Sequence, residues 1–97
     1  MRLPERERAA LREIVRRADP AAEVCLYGSR ADDALKGGDI DLLIVSERLT
    51  LADKLDFLVQ MKDALGERRI DILIRTSESA RSDPFARDVL KKTARRL

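Results

Sequence analysis

Three aspartates and a Gly-Ser pair carry the chemistry open to this sequence. Asp39 and Asp41 begin the apolar run Asp39-Ile40-Asp41-Leu42-Leu43-Ile44-Val45. In a strand, residues i and i+2 leave the same face, so these two carboxylates would stand side by side at the strand's mouth. Like charges held that close raise one another's pKa and cost stability. A hard divalent cation offsets that cost, and Mg²⁺ in particular takes a few carboxylates and completes its shell with water and substrate phosphates. Upstream, Gly28-Ser29 closes another apolar run, Val24-Cys25-Leu26-Tyr27. A glycine lets backbone approach a phosphate closely, and Ser29 offers a hydroxyl and N–H groups where a short helix can begin. The pattern predicts a site for a nucleotide and a metal.

Each feature also has an ordinary structural reading. Serine is a favoured helix N-cap, and acidic residues after Gly37-Gly38 are common turn chemistry at a solvated strand end. The arrangement as a whole weighs more than any member of it. Residues 22 to 27 read as a first strand, apolar on both faces and therefore internal or well covered. Ser29-Arg30-Ala31-Asp32 has the form of a helix N-cap, with a short helical turn through about Leu35, and Lys36-Gly37-Gly38 reads as the turn into a second strand, Asp39 to Val45.

The remaining elements follow from periodicity. Residues 4 to 18 form an amphipathic helix with Leu11, Ile14, Val15 and Ala18 on one face, ended by Asp19-Pro20. Residues 51 to 65 form a second helix, with Thr50 as N-cap, Asp53 at the capping-box position, Gly66 as the stop, and Leu51, Leu55, Leu58, Val59 and Leu65 as the expected core stripe. A third strand follows at Arg69-Ile70-Asp71-Ile72-Leu73-Ile74. Thr76 to Asp83 reads as a polar loop, and Asp83-Pro84 opens a last helix, 84 to 96, with Phe85, Val89, Leu90 and Thr93 inward.

A helix between strands two and three implies a crossover and parallel pairing, while the short interval between strands one and two implies antiparallel neighbours. That topology brings Gly28-Ser29, Asp39, Asp41 and Asp71 to one edge of the sheet. The expected fold is α/β, a small mixed three-strand sheet packed by helices, in a single domain spanning 1–97.

Gly28-Ser29 followed by Asp39-Ile40-Asp41 resembles the signature of the DNA polymerase beta-like nucleotidyltransferase superfamily, and the small chain is similar to its minimal nucleotidyltransferase (MNT) branch. The likeness covers roughly Ala21 to Leu97, of which the signature is the specific part. It implies a nucleotidyltransferase-like fold, with Asp39, Asp41 and Asp71 as catalytic and Mg²⁺-holding residues, two ions being possible, and Gly28, Ser29 and Arg30 at the triphosphate of ATP. Asp71 fits the third carboxylate of that pattern and equally a solvent-facing place on an edge strand. The interval between Gly-Ser and the first aspartate is one residue shorter than the family's usual one, and Asp32-Asp33 stands where the family often has Arg and Gly. Negative charge there weakens triphosphate binding unless it points outward.

MNT proteins are typically paired with HEPN proteins, helical ribonuclease toxins, and some transfer AMP to a tyrosine of that partner. The resemblance therefore implies an antitoxin that is either an enzyme acting on its toxin or an inactive chain that neutralises it by binding. A drug-modifying type of nucleotidyltransferase is disfavoured, because no second domain is present to shape an acceptor pocket. The chain has no histidine and so cannot itself supply the Arg and His motif of the HEPN ribonuclease.

Composition agrees with a folded domain. Apolar residues make up 44% of 97 and charged ones 39%, an aliphatic core under a heavily solvated surface. The single cysteine, Cys25, lies inside an apolar strand and is expected to pack rather than react. No apolar run is long enough to span a bilayer and no signal peptide opens the chain, so a cytoplasmic location is expected. A net charge of +2 is too small to imply direct nucleic-acid binding. Basic charge gathers at the C-terminus, and a homo- or hetero-oligomer is expected, with Leu43, Val45 and Leu73 exposed toward a partner on the aspartate face.

Overall fold

A computed structural model describes residues 4–27, 40–66, 69–84, 86–87 and 95–96. The first helix, α1 (Glu5–Ala18), buries Leu11, Ile14 and Val15 as its periodicity predicts. Glu5 and Glu7 in its first turn and Arg16 and Arg17 in its last complement the helix dipole. It stops at Asp19, whose N–H still reaches Val15 O at 3.0 Å, because Pro20 has no N–H to continue the ladder.

Three strands follow the predicted order: β1 (Glu23–Tyr27), β2 (Ile40–Val45) and β3 (Ile70–Arg75). β1 and β2 pair antiparallel and β2 and β3 parallel, as expected from the lengths of their connections. Alternation along the strands divides the side chains between two faces. Val24, Leu26, Ile40, Leu42, Ile44, Ile70 and Ile72 meet α1 and α2 in the main core. Cys25 and Leu43 lie on the other face.

Between β2 and β3 runs α2 (Leu51–Leu65), started by the predicted capping box. The Asp53 N–H donates to Thr50 Oγ1 at 3.3 Å, and the Thr50 N–H donates to Asp53 Oδ2 at 2.8 Å. The helix ends at Gly66, whose φ of +90° is one that a residue with a Cβ rarely adopts. No atom lies within 4 Å of where that Cβ would stand, so the glycine answers a backbone requirement and not a crowded space.

Four expectations are corrected. The buried stripe of α2 is Phe57, Met61 and Leu65, with Leu58 half-buried, whereas Leu51, Leu55 and Val59 are 68%, 57% and 63% exposed. Both stripes recur every four residues, so periodicity alone cannot rank them; the sheet and α1 take the one that holds the larger Phe57 and Met61. The stretch expected as a polar loop contains α3 (Ser77–Ser82), opened by a second capping box between Thr76 and Ser79. Ser and Thr favour loops in isolation but are also the best caps.

The last helix does not extend to 96. A helical turn at Pro84, Ala86 and Arg87 is held by the Arg87 N–H on Asp83 O at 2.9 Å, but Arg95–Arg96 form β4, which pairs antiparallel with Leu26 and Cys25 of β1. The sheet order among the described residues is β3-β2-β1-β4, so β1 is internal as expected. A sheet edge offers unpaired N–H and C=O groups that a returning segment satisfies, and no local pattern in an arginine-rich tail announces it. Phe85, Val89, Leu90, Thr93 and the expected turn through Leu35 lie outside the described residues.

The fourth correction concerns the aspartate face. Leu43 is fully buried, clustered with Ala80 of α3 and Ala86, and Val45 and Leu73 are half-buried against the same group. The segment after β3 therefore covers the apolar part of this face, and the partner surface expected there is not exposed. Among the described residues no helix is long and apolar enough to cross a membrane.

Candidate active site

The register of the sheet decides which functional side chains meet. Asp41 of β2 lies directly beside Asp71 of β3 in the parallel ladder, and on its other side Asp41 is the partner of Tyr27, the last residue of β1. In-register neighbours point to the same side of a sheet, about 4.8 Å apart along the hydrogen-bonding direction. Asp41 and Asp71 thus rise together from the face opposite α1 and α2. They sit at the sheet end where β1 finishes and β2 and β3 begin.

Local bonding fixes that edge. The Ile40 N–H donates to Arg69 O at 2.8 Å, locking the starts of β2 and β3 in step. Buried neighbours hold the strand: Ile40 and Leu42, on either side of Asp41, are 1% and 0% exposed on the core face. Slipping β2 by one residue would send those side chains to the aspartate face and Asp41 into the core. Asp41 is half-buried and Asp71 exposed, so the pair opens outward from a rigid base to solvent.

Of the predicted site residues, the structure brings Asp41 and Asp71 together. Asp39, Gly28, Ser29 and Arg30 lie outside the described residues. Asp39 precedes Ile40 directly, and Gly28 follows Tyr27 directly, so both are joined by a single peptide bond to described positions at this edge. Among the described residues no cluster of three metal-ligating side chains occurs. Two hard oxygen donors on adjacent strands are nonetheless the donor chemistry that Mg²⁺ takes, with water and phosphate oxygens completing its shell.

A second charged cluster occupies the opposite end of the sheet. Asp19, only 2% exposed, accepts a hydrogen bond from Ser46 Oγ and another from the Ala21 N–H at 3.0 Å. Ser46 Oγ in turn accepts from the N–H groups of Arg48 and Leu49 at 3.1 and 3.2 Å. The Ser46 hydrogen bond, with that of Ala21 and the charge of Arg48, holds the Asp19 carboxyl below its ordinary pKa in spite of burial. Glu47 accepts from the Ser77 N–H at 2.7 Å, which likewise lowers its pKa. These groups line a shallow pocket with Glu23 and Val45. Every buried donor and acceptor named here has a partner, so the cluster ties α1 and α3 to the end of β2. Sequence reasoning saw Asp19 as a helix stop alone, and nothing local pairs it with Ser46.

This geometry can be set beside known proteins. No curated protein matches the chain. One solved structure, described as "Crystal structure of putative nucleotidyltransferase", superposes with a TM-score of 0.61 at 26% identity, covering 93% of this chain and 96% of that one. The family of the nucleotidyltransferase domain matches residues 8–96, from the first turns of α1 through β4. With a match over that span, the chain belongs to the nucleotidyltransferase domain family.

Proposed function

We propose that this chain is a minimal nucleotidyltransferase that moves AMP from ATP to a hydroxyl, a tyrosine, of a HEPN-type toxin, and so acts as its antitoxin. The single observation that carries the reading is the placement of Asp41 in register with Asp71 at the open edge of the sheet. Two carboxylates side by side at the open end of a sheet suit a site for a charged, metal-accompanied substrate.

Asp39, Asp41 and Asp71 would hold Mg²⁺, which supplies neutralisation of the triphosphate charge. Gly28, Ser29 and Arg30 would hold the pyrophosphate end through backbone N–H groups, a hydroxyl and a guanidinium. In the transfer, the acceptor oxygen forms a bond to the α-phosphorus while the bond from that phosphorus to pyrophosphate breaks. The acceptor's proton passes to a carboxylate, and Asp71, the exposed member of the pair, is the one an incoming hydroxyl reaches. Positioning and charge stabilisation do most of the work in such displacements.

The test incubates the chain with Mg-ATP and a HEPN-type helical protein, followed by mass spectrometry of that protein. An added AMP on tyrosine, lost in Asp41→Asn, is the expected result. A stable complex with no change of mass would mean that the chain neutralises by binding alone.

A further inference from the structure

β3 is the outer strand of the sheet, and among the described residues no strand pairs with its far side. Its bonds to β2 fix which of its groups turn outward. The carbonyls of Arg69 and Arg75 accept from the Ile40 and Ser46 N–H groups at 2.8 and 2.9 Å. With a period of two, the odd-numbered residues bond to β2, while Ile70, Ile72 and Ile74 turn their N–H and C=O groups away from it. Edge strands are commonly blunted by proline, lysine or a bulge. β3 has none of these: it pairs with β2 from Ile70 to Arg75 without a gap, in the sequence Ile70-Asp71-Ile72-Leu73-Ile74-Arg75.

The order of side chains along this edge identifies the occupant. Asp71, Leu73 and Arg75 share the aspartate face, with Leu73 midway between the acid and the base. Turned end for end about Leu73, the strand keeps its apolar residues in place and exchanges its two charges. An antiparallel copy centred there sets Asp71 of each chain against Arg75 of the other, and Ile72 against Ile74. Sliding the copy by two residues either way sets Arg75 against Arg69 or Leu73 instead, and no acid then meets a base. Arg75 is already held at the edge, since its Nη1 donates to the outward Ile74 carbonyl at 2.9 Å and its Nε to Asp83 Oδ2 at 3.0 Å. A guanidinium carries more donors than these two bonds use, and a carbonyl has a second lone pair for an N–H of the copy.

We infer that two copies of this chain pair edge to edge through β3, antiparallel about a two-fold axis at Leu73, so that one sheet runs through both. Each Ile72 exchanges N–H and C=O bonds with Ile74 of the other copy, and each Asp71 meets Arg75 of the other on the aspartate face. The contact is isologous and closes at two. Each copy thereby brings a cation to the carboxylate edge of its neighbour, one strand spacing from Asp71.

Sedimentation equilibrium of the full chain over a range of concentration and salt tests this. Wild type is expected to be a dimer. Ile74→Pro removes an N–H that faces away from β2 and so breaks no bond of that ladder; a monomer with the wild-type circular dichroism spectrum is expected. Asp71→Arg sets like charges opposite each other at two places and is expected to weaken the dimer about tenfold or more at low salt and less at high salt. Residue 73 lies against its own copy in a pair without hydrogen bonds, where antiparallel strands come closest. Leu73→Cys is therefore expected to give a disulfide-linked dimer on mild oxidation, and wild type, whose one cysteine, Cys25, is buried, is not. A wild type that stays monomeric overturns the inference. So does a dimer that survives Ile74→Pro, and, should that variant not fold, a Leu73→Cys chain that fails to cross-link decides against it equally. A dimer indifferent to Asp71→Arg overturns the register, since only pairing about Leu73 sets acid against base.

Discussion

Asp71 is exposed and is set beside Asp41 by the parallel ladder. Replacing an exposed carboxylate with its near-isosteric amide alters little else, so Asp71→Asn is expected to change unliganded stability by no more than about 0.5 kcal/mol. Nucleotide transfer is expected to fall below detection in the same variant, and comparison of chemical denaturation with product formation checks both halves. At the other end of the sheet, Asp19 behaves oppositely. Its folded pKa is lowered, so the folded state favours the carboxylate; the stabilisation is present above the ordinary carboxylate range and is lost as pH falls through the depressed folded value. Asp19→Asn should therefore be less stable than wild type at neutral pH, and the gap between the two should narrow on acidification below about pH 4. Denaturant midpoints measured across that window report it. Replacing Asp19 with alanine removes charge-assisted hydrogen bonds and is expected to cost about 1.5–3 kcal/mol.

At the scale of elements, α2 shows what sequence can and cannot specify. Its ends were legible because capping is local: Thr50, Asp53 and Gly66 act within one turn of themselves. Its orientation was not, because Leu51-Leu55-Val59 and Phe57-Met61-Leu65 are both apolar stripes and the choice belongs to the sheet and α1. Phe57→Ala should cost about 3–5 kcal/mol by opening a cavity where the ring is 1% exposed. Gly66→Ala, where no neighbour crowds the added methyl, should cost only the strain of its positive φ with extended ψ, about 1–3 kcal/mol. Urea titrations of the two variants rank them. The strands were legible by alternation and their pairing by connection length, which is why the β1-β2-β3 topology and the meeting of Asp41 with Asp71 could be read in advance. The α3 capping box at Thr76 and Ser79 was readable by the same rule as α2 but was masked by a run of residues that also favour loops. β4 could not be read, because its partner lies some seventy residues away in sequence and pairing at that distance leaves no local mark.

For the molecule as a whole, one sheet end carries Asp41 and Asp71 and the other the buried Asp19–Ser46 hydrogen bond and that of Glu47 with Ser77, so under the proposed function activity and stability should be separable by mutation. The main core lies on the helix side of the sheet and the aspartates on the other, which lets the site open to solvent without thinning the core. Under the proposed function this edge binds nucleotide through metal held by its carboxylates. The direct measurement is the melting temperature of wild type, Asp41→Asn and Asp71→Asn with ATP in excess Mg²⁺ and with ATP in excess EDTA. A ligand present at a hundred times its dissociation constant stabilises the fold by about 2.7 kcal/mol, and wild type is expected to show a rise of that order only with the metal. Both variants should lose it. Equal stabilisation of wild type by ATP in Mg²⁺ and in EDTA, or an undiminished metal response in both variants, would contradict the account.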